Sequence, residues 1–217
     1  MVSSKKRIIV DLLRHGEPEG GEVLRGRVDH QLTELGWEQM QKSAGLDNKN
    51  VPSSASPKWS HIISSPLKRC REFAEQLSQQ NNLPLSVMDQ WQEIDYGDWD
   101  GMPLKDWKQQ AAEQFREFRK DLSKLAPPNG ENYLTFKDRV LGAWKEIGEL
   151  EDGSHVLVVT HGGVLRVVLP TVLGMALNKS YPLHIPFACF SRVRLEFTED
   201  RVSYSLLFHN TAEHSSN

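Results

Sequence analysis

The sequence is poor in the features that would assign it to a membrane, a disulfide scaffold or a nucleic acid. Its only two cysteines, Cys70 and Cys189, are too few for a disulfide framework and are not spaced as metal ligands, which favours a reducing compartment. Neither sign of charge dominates, because 26 lysines and arginines stand against 29 acidic residues, for a net charge of −3. Overall charge therefore gives no attraction to nucleic acids or acidic membranes, and any affinity for an anion must come from a local arginine cluster.

Long apolar runs, internal repeats and low-complexity tracts are also missing. The basic start at residues 1–7 is followed by an apolar run that Asp11 and Arg14 interrupt too early for a signal peptide. No cluster of Asp or Asn ligands and no histidine spacing typical of a metal site is present. We therefore expect one α/β domain over residues 1–217, in the cytoplasm, with no metal, no other cofactor, no nucleic acid partner and no membrane partner. The sequence leaves the oligomeric state open.

Two short apolar runs each end in a histidine followed by glycine. Residues 8–13 precede Arg14 and His15, and residues 155–160 precede His161. Both runs are rich in β-branched residues or leucine and too short for independent helices, which predicts buried parallel strands. Ligands of open α/β sheets bind just beyond the carboxyl ends of the strands, so neighbouring strands would bring the two histidines together.

The tripeptide Arg14-His15-Gly16 has the composition of a nucleophilic site. A nucleophilic histidine must be neutral, and a neighbouring arginine disfavours the protonated ring. Gly16 allows a sharp turn and a close approach to a ligand. The tripeptide alone fits equally well a buried histidine that ends a strand beside a surface arginine.

A second basic segment follows the predicted strand at residues 59–64. Ser65 is expected to cap the next helix, with Pro66 at its first position. Arg69 then lies in the first turn, where its planar fork suits bidentate contact with a phosphate. The alternative is an ordinary arginine that faces solvent.

Two histidines beside an arginine suit the transfer of a phosphoryl group onto an imidazole. This reaction also needs a proton donor for the oxygen that leaves. Four carboxyl groups compete for that role in one aromatic and acidic loop: Glu93, Asp95, Asp98 and Asp100. The residues alone leave the choice open, and the loop fits equally well a solvated acidic segment. His161 would hold negative charge that develops on the phosphoryl oxygens, and the amide of Gly162 at a helix start would add a donor.

The remaining pattern predicts a mixture of loops, helices and strands. Expected are a long loop over 16–30, a helix capped by Thr33 that runs to about Ala44, a surface excursion at 47–58, a strand at 85–88, helices near 105–125, 131–150 and 163–173, an antiparallel hairpin of 187–197 with 201–208, and a frayed end at 211–217.

Five stretches of the chain resemble the histidine phosphatases of the phosphoglycerate mutase-like superfamily: LLRHGE at 12–17, GRVDHQLTELGWEQ at 26–39, SSPLKRC at 64–70, EIDYGDWDG at 93–101 and VVTHGGVLR at 158–166. The resemblance implies a three-layer α/β/α sandwich with a mostly parallel central sheet. It further implies that His15 is transiently phosphorylated, that Arg14, Arg69 and His161 bind the phosphoryl group, and that Glu93 is the proton donor.

The chain departs from the family pattern after RHGE, where many relatives have a Ser or Thr and then an Asn. Here the sequence continues Pro18-Glu19-Gly20-Gly21. Substrate contacts from Arg25 and Arg27, with Gly26 between them, are candidates to compensate. The alternative is that these arginines face solvent.

Residues 16–40 are most similar to α-ribazole phosphatases, which remove the 5′-phosphate from α-ribazole phosphate in cobalamin nucleotide-loop assembly. The alternatives are a sugar-phosphate or broad-specificity phosphatase, a phosphoglycerate mutase, and a non-catalytic module that binds a phosphorylated ligand. A lid is expected at about 97–135, where four aromatic residues could stack on a flat base or belong to the core: Trp99, Trp107, Phe115 and Phe118.

Overall fold

A computed structural model describes residues 6–46 and 59–210, and its centre is a six-stranded sheet. The expectations for 1–5, 47–58 and 211–217 lie outside the described residues. The strands are β1 (Lys6–Arg14), β2 (His61–Ser64), β3 (Leu85–Val87), β4 (His155–Thr160), β5 (Phe190–Phe197) and β6 (Val202–His209). Their order is β3-β2-β4-β1-β5-β6. The pairs β1–β5 and β5–β6 are antiparallel and the other pairs are parallel, so β5 alone of these six strands runs in the opposite direction.

Six α-helices accompany the strands: α1 (Glu34–Ser43), α2 (Lys68–Asn81), α3 (Leu104–Gln110), α4 (Ala112–Phe118), α5 (Tyr133–Ile147) and α6 (Gly162–Val172). The cap of α1 is as predicted, because the side chain of Thr33 accepts a hydrogen bond from the amide of Gly36. Among the described helices, none is long and apolar enough to cross a bilayer.

The alternation of side chains along β1 divides the core between the two faces of the sheet. Ile8, Val10 and Leu12 pack with residues of α5 and α6 in one cluster. Leu13 packs with residues of α1 and α2 in a second cluster. Helices therefore cover both faces, which gives the three-layer α/β/α sandwich that the resemblance implied.

The start of α2 differs from the sequence prediction. Ser65 is not the cap and Pro66 is not in the helix, because Leu67 is still extended and the helix begins at Lys68. The amide of Lys68 instead donates to the carboxylate of Asp29 at 2.6 Å. A cap that comes from a distant loop leaves no local signal, and it frees Ser65 for another contact.

Two other predicted elements are shorter than expected. The helix expected near 105–125 is broken at Ala111, between α3 and α4, and is followed by a 3₁₀ turn at Leu122–Lys124. The hairpin strand expected from residue 187 begins only at Phe190, because Ala188 has a φ of 53° and interrupts the extended backbone.

A buried carboxylate in β1 links β4, β5 and the residue Trp59. Asp11, fully buried in β1, accepts two hydrogen bonds from Arg192 at 2.6 and 2.8 Å and one each from His155 and Trp59 at 2.8 Å. Burial alone would raise the pKa of Asp11, but the hydrogen bonds from these partners outweigh it and lower the pKa.

Replacement of Asp11 by Asn is expected to lower the free energy of unfolding by about 2–4 kcal/mol at neutral pH, because Arg192 loses its buried partner. A carboxyl group with a lowered pKa in the native state stabilises above its unfolded pKa, and the benefit disappears as pH falls through the native pKa. The difference between wild type and Asp11→Asn should therefore shrink below about pH 4 in urea unfolding experiments.

A matched control is Glu196→Gln, which removes a carboxylate whose ion pair with Arg7 leaves the two side chains 30% and 60% exposed. This change should cost less than about 1 kcal/mol at any pH. A loss at Asp11→Asn that stays constant from pH 7 to pH 3 would contradict the role assigned to the ionised carboxylate.

Candidate active site

The parallel pairing of β1 with β4 places the two sequence-predicted histidines side by side. Arg14 is opposite Thr160 in the register, so His15 and His161 each follow at the same edge of the sheet. The centroids of the two rings are 5.3 Å apart and the rings meet edge to face. The sequence prediction that they come together is confirmed by this geometry.

One hydrogen bond determines which nitrogen of His15 is available. Nδ1 lies 2.8 Å from the carbonyl oxygen of Gly16, and since a carbonyl only accepts, Nδ1 carries the proton and donates it. The lone pair is then on Nε2. A side chain at position 16 could not be accommodated, because a Cβ there would stand 2.0 Å from the carbonyl oxygen of Gly36.

The surroundings of His15 keep its ring neutral. Burial is the largest cause that holds the pKa well below its usual value, followed by the charges of Arg69, Arg14 and Arg25. The hydrogen bond to Gly16 opposes the shift in part. A neutral imidazole with a free Nε2 lone pair is a nucleophile at physiological pH.

His161 is buried and held from two sides. Its Nε2 lies 2.7 Å from the hydroxyl oxygen of Ser65, and the thiol of Cys70 lies 3.7 Å from the same nitrogen. Burial, then the charge of Arg69, keeps the pKa of this ring well below its usual value. Ser65, expected only as a helix cap, is thus a positioning residue that the sequence argument missed.

Arg14 is the last residue of β1 and places its guanidinium group at the carboxyl end of the strand. Its Nη1 donates to the carbonyl oxygen of Ile185 at 2.7 Å, and the group stacks 4.4 Å above the ring of Phe187. Nε is buried without a hydrogen-bond partner among the described residues. Burial lowers the pKa of Arg14 to about 10, so the group still carries its charge at neutral pH. A Cβ at Gly162 would stand 3.2 Å from this Nε, so glycine allows the close approach.

Arg69 is fully buried and binds a neighbouring loop. Its Nη1 and Nη2 donate to the carbonyl oxygens of Val28 and Gly26 at 2.8 and 2.5 Å. It does not line the cavity beside His15. The charge of Arg69 is, after burial, the largest cause that lowers the pKa of both histidines. Its expected role in binding the phosphoryl group stays a prediction.

Of the four candidate carboxyl groups, only Glu93 lines the cavity together with His15. It is buried, and its Oε2 and Oε1 accept hydrogen bonds from the amides of Gly163 at 2.9 Å and Ile94 at 3.0 Å. Burial raises the pKa of Glu93, and the two amides together with Arg69 and Arg14 offset this only in part. The group is therefore able to hold a proton.

The other three carboxyl groups of the acidic loop are engaged elsewhere, and none lines the cavity. Asp100 accepts from three successive amides, those of residues 26, 27 and 28, at 2.6–2.7 Å. Asp95 accepts from the amide of Gly97 and forms an ion pair with Arg27. Asp98 accepts from the amide side chain of Asn129. Through these contacts, the three carboxyl groups stabilise the conformations of the loops.

A further residue that sequence reasoning missed fixes the backbone around Glu93. Arg139 of α5 donates to the carbonyl oxygens of Gln90 and Gln92 at 2.8 and 3.1 Å and forms an ion pair with Glu131 at 2.7 Å. The partners lie in two segments, at residues 90–92 and at Glu131, so no single local motif could have indicated the contact.

Of the three loop residues expected to contact the substrate, Arg25, Gly26 and Arg27, only Arg25 lines the cavity. Its Nη2 donates to the carbonyl oxygens of Glu19 and Gly21 and its Nε to His30. Gly26 and Arg27 are not among the residues that line the cavity, and their amides donate to Asp100. Substrate contact from these two residues stays a prediction.

The cavity beside His15 has a volume of about 590 Å³. Its floor carries Arg14, His15 and Glu93, and its apolar surface comes from Tyr96, Leu104 and Phe187. Of the expected lid at 97–135, only Leu104 reaches the cavity.

The four aromatic residues that were candidates for stacking pack elsewhere. Trp99 and Trp107 are buried in the core, and Phe115 lies against Trp107 and Phe118 with ring centroids 4.7 and 5.9 Å apart. Their stacking role is therefore wrong here, and the core alternative holds for the two tryptophans.

The site combines a neutral imidazole, a buried guanidinium and a carboxyl group that can hold a proton. Within residues 6–46 and 59–210, no group of three or more His, Cys, Asp or Glu side chains is arranged to hold a metal ion. These three groups can attack a centre that bears negative oxygens and protonate the group that leaves.

Comparison with known proteins gives concordant results. A family model described as the histidine phosphatase superfamily (branch 1) matches residues 10–209. A bifunctional protein of Mycobacterium tuberculosis is 31% identical over 202 residues, which cover 92% of this chain and 53% of that protein. The chain thus spans about half the length of this curated relative.

Two further similarities concern proteins of comparable length. Adenosylcobalamin/alpha-ribazole phosphatase of Escherichia coli is 26% identical over 184 residues, which cover 84% of this chain and 87% of that protein. The solved structure of mycobacterial glucosyl-3-phosphoglycerate phosphatase has a TM-score of 0.75 at 23% identity, over 95% of this chain and 99% of that one. At that identity the structural likeness shows the fold alone.

Proposed function

Because the chain belongs to the histidine phosphatase superfamily (branch 1), we propose that it hydrolyses phosphomonoesters through a phosphohistidine formed on His15. The observation that carries the proposal is the Nδ1–H bond from His15 to Gly16, which leaves the Nε2 lone pair free beside Arg14 and Glu93.

In the first step, Nε2 of His15 attacks phosphorus and the bond from phosphorus to the ester oxygen breaks. The proton of Glu93 moves to the departing oxygen, so the product leaves as an alcohol. The hydrogen bond from Nδ1 to Gly16 stabilises the positive charge that develops on the ring. Arg14, which lines the cavity beside His15, faces the phosphoryl oxygens with its positive charge.

In the second step, water attacks the phosphohistidine. The ionised Glu93 accepts the proton of the water, the phosphorus–nitrogen bond breaks, and its electron pair returns to Nε2. Inorganic phosphate leaves and both residues regain their starting protonation states. His161, the amide of Gly162 and the charge of Arg69 stabilise negative charge on the transferring group.

For the substrate, we propose α-ribazole 5′-phosphate. Support comes from the similarity to the E. coli adenosylcobalamin/alpha-ribazole phosphatase and from a cavity of about 590 Å³, within the usual range for small-molecule sites. The rings of Tyr96 and Phe187 provide the flat apolar surface that a benzimidazole needs.

The alternative is a sugar-phosphate or broad-specificity phosphatase. The shared fold with glucosyl-3-phosphoglycerate phosphatase keeps this alternative open. A phosphoglycerate mutase and a non-catalytic binding module are the remaining possibilities. The first would yield an isomerised phosphoglycerate, and the second would show no turnover above a His15→Ala control.

Glu93→Gln is expected to lower kcat on an alkyl phosphate by about 10²–10⁴-fold, because both the acid and the base are lost. With p-nitrophenyl phosphate the leaving group needs no proton, so a burst of p-nitrophenol should precede slow turnover. Inhibition by inorganic phosphate should remain close to that of the wild type. His15→Ala should give no burst, and an unchanged kcat in Glu93→Gln on the alkyl ester would assign the acid to another residue.

Gly163→Ala is expected to reduce kcat at least about tenfold, because the new Cβ would stand 2.1 Å from Oε1 of Glu93 and displace the carboxyl group. The free energy of unfolding should change by less than about 1 kcal/mol, since alanine suits a helix better than glycine. Gly142→Ala in α5 is the control, because its Cβ meets nothing within 4 Å. Loss of activity in both variants, or in neither, would contradict the placement of Glu93.

The substrate proposal is tested by kcat/KM for α-ribazole 5′-phosphate against glucose 6-phosphate and other simple sugar phosphates. We expect a preference of about a hundredfold or more, because stacking on Tyr96 and Phe187 is available only to the base. Phe187→Ala should reduce this preference, measured as the ratio of the two kcat/KM values, because loss of the ring that stacks on Arg14 affects both substrates. Near-equal values in the wild type would remove the α-ribazole assignment and leave the broader phosphatase.

A further inference from the structure

The cavity beside His15 is positively charged at its floor and negatively charged at its rim. Its lining includes two arginines, Arg14 and Arg25, and four acidic residues. Glu93 is on the floor, whereas the other three belong to the loop that follows His15: Glu17, Glu19 and Glu22. Two regions of opposite sign in one cavity would meet different parts of the same ligand.

The floor and the rim differ in their balance of charge. Arg14 is on the floor, and among the described residues only its Nη1 has a hydrogen-bond partner, so its guanidinium has donors left for a bound group. Arg25 uses its donors on the carbonyl oxygens of Glu19 and Gly21 and on His30. These acceptors are uncharged, so Arg25 keeps its positive charge, but the three carboxylates of Glu17, Glu19 and Glu22 outnumber it at the rim.

The backbone of the rim is fixed, whereas two of its carboxylates are free to meet a ligand. The amide of Glu19 donates to the carbonyl oxygen of Gln31 at 2.8 Å, and the carbonyl oxygen of Glu22 accepts from Leu104 at 3.0 Å. Within residues 6–46 and 59–210, the exposed carboxylates of Glu19 and Glu22 have no hydrogen bond or ion pair, although Glu19 interacts electrostatically with His30. Glu17 differs, because its carboxylate accepts from the hydroxyl of Thr33 at 3.2 Å.

We propose that Glu19 and Glu22 select substrates by the charge of the organic group that is esterified to phosphate. This inference rests on the proposed phosphatase function. Once the phosphoryl group is on His15 and Arg14, the rest of the substrate extends toward the rim. A protonated amine there is attracted, a neutral group is accepted, and a carboxylate or second phosphate is repelled.

The charge rule separates substrate classes that a common phosphate pocket cannot distinguish. An ester of a neutral nucleoside, such as α-ribazole phosphate, carries no negative charge beyond the phosphoryl group and is compatible with the rim. Phosphoglycerates and bisphosphates place a second anion near Glu19 and Glu22 and are disfavoured. Phosphate esters of amino alcohols are the class that the rim favours most.

The test uses three aryl phosphates whose leaving groups have nearly equal basicity: O-phosphotyramine, 4-ethylphenyl phosphate, and the phosphate ester of 3-(4-hydroxyphenyl)propanoate. They differ mainly in a remote charge, which is positive, absent or negative. At low ionic strength we expect kcat/KM for the amine to exceed that for the carboxylate about tenfold or more. Addition of about 0.5 M salt should reduce the ratio, since exposed charges are screened.

Glu19→Gln/Glu22→Gln should bring the ratio of amine to carboxylate to within about threefold of unity and leave the neutral ester within about twofold of wild type. The control is Glu146→Gln/Glu149→Gln, which removes the same charge from exposed positions near the end of α5, outside the cavity lining. This control should retain the ratio of the wild type.

The outcomes separate the two proposals. Hydrolysis of the neutral ester that is lost in His15→Ala supports the phosphatase, whatever the charge preference. Equal rates for all three esters in the wild type, or a ratio that survives Glu19→Gln/Glu22→Gln, would overturn the charge rule alone. Absence of hydrolysis of any ester that depends on His15 would overturn the proposed function.

Discussion

The parallel register between β1 and β4 is the constraint on which the site depends. It fixes Arg14 opposite Thr160. His15 and His161, the residues that follow these two strands, therefore lie at the same edge of the sheet. The amide of His15 also donates to the carbonyl oxygen of Thr160 at 2.9 Å, which continues the pairing beyond the strand. A shift of one residue would turn one histidine toward the opposite face, because side chains alternate along a strand. The chemistry at the edge is thus a consequence of how the apolar residues of β1 and β4 pack below it.

Much of the fold could be predicted because its signals are local. The central strands are continuous apolar runs, since helices cover both faces of the sheet, and Thr33 caps α1 with its own side chain. The errors came from contacts between distant segments. Asp29 caps α2 from another loop, so the sequence suggested Ser65 instead. The aromatic residues of the expected lid have helical spacing, which indicates a buried face but not which surface it covers.

The candidate site could be predicted in its residue types more readily than in its roles. Glu93 could not be separated from its neighbours by composition, because what distinguishes it is the amide of Gly163, seventy residues away. Arg69 was correctly placed in the first turn of α2, yet its Nη1 and Nη2 donate to the carbonyl oxygens of the loop, and its Nε has no partner among the described residues. Both kinds of backbone group hold the loop at residues 26–28. Its amides donate to Asp100, and its carbonyl oxygens accept hydrogen bonds from Arg69. Such reciprocal contacts are invisible in a sequence pattern.

The two walls of the cavity are joined by backbone hydrogen bonds. Leu24 and Glu22 on one wall pair with residues 101–104 on the other through three bonds of 2.7–3.0 Å. Separation of these walls would expose paired amides and carbonyl oxygens one after another, each at an energetic cost. Residues 22–24 and 101–104 therefore form one hydrogen-bonded unit, which holds Leu104 in its place beside the cavity.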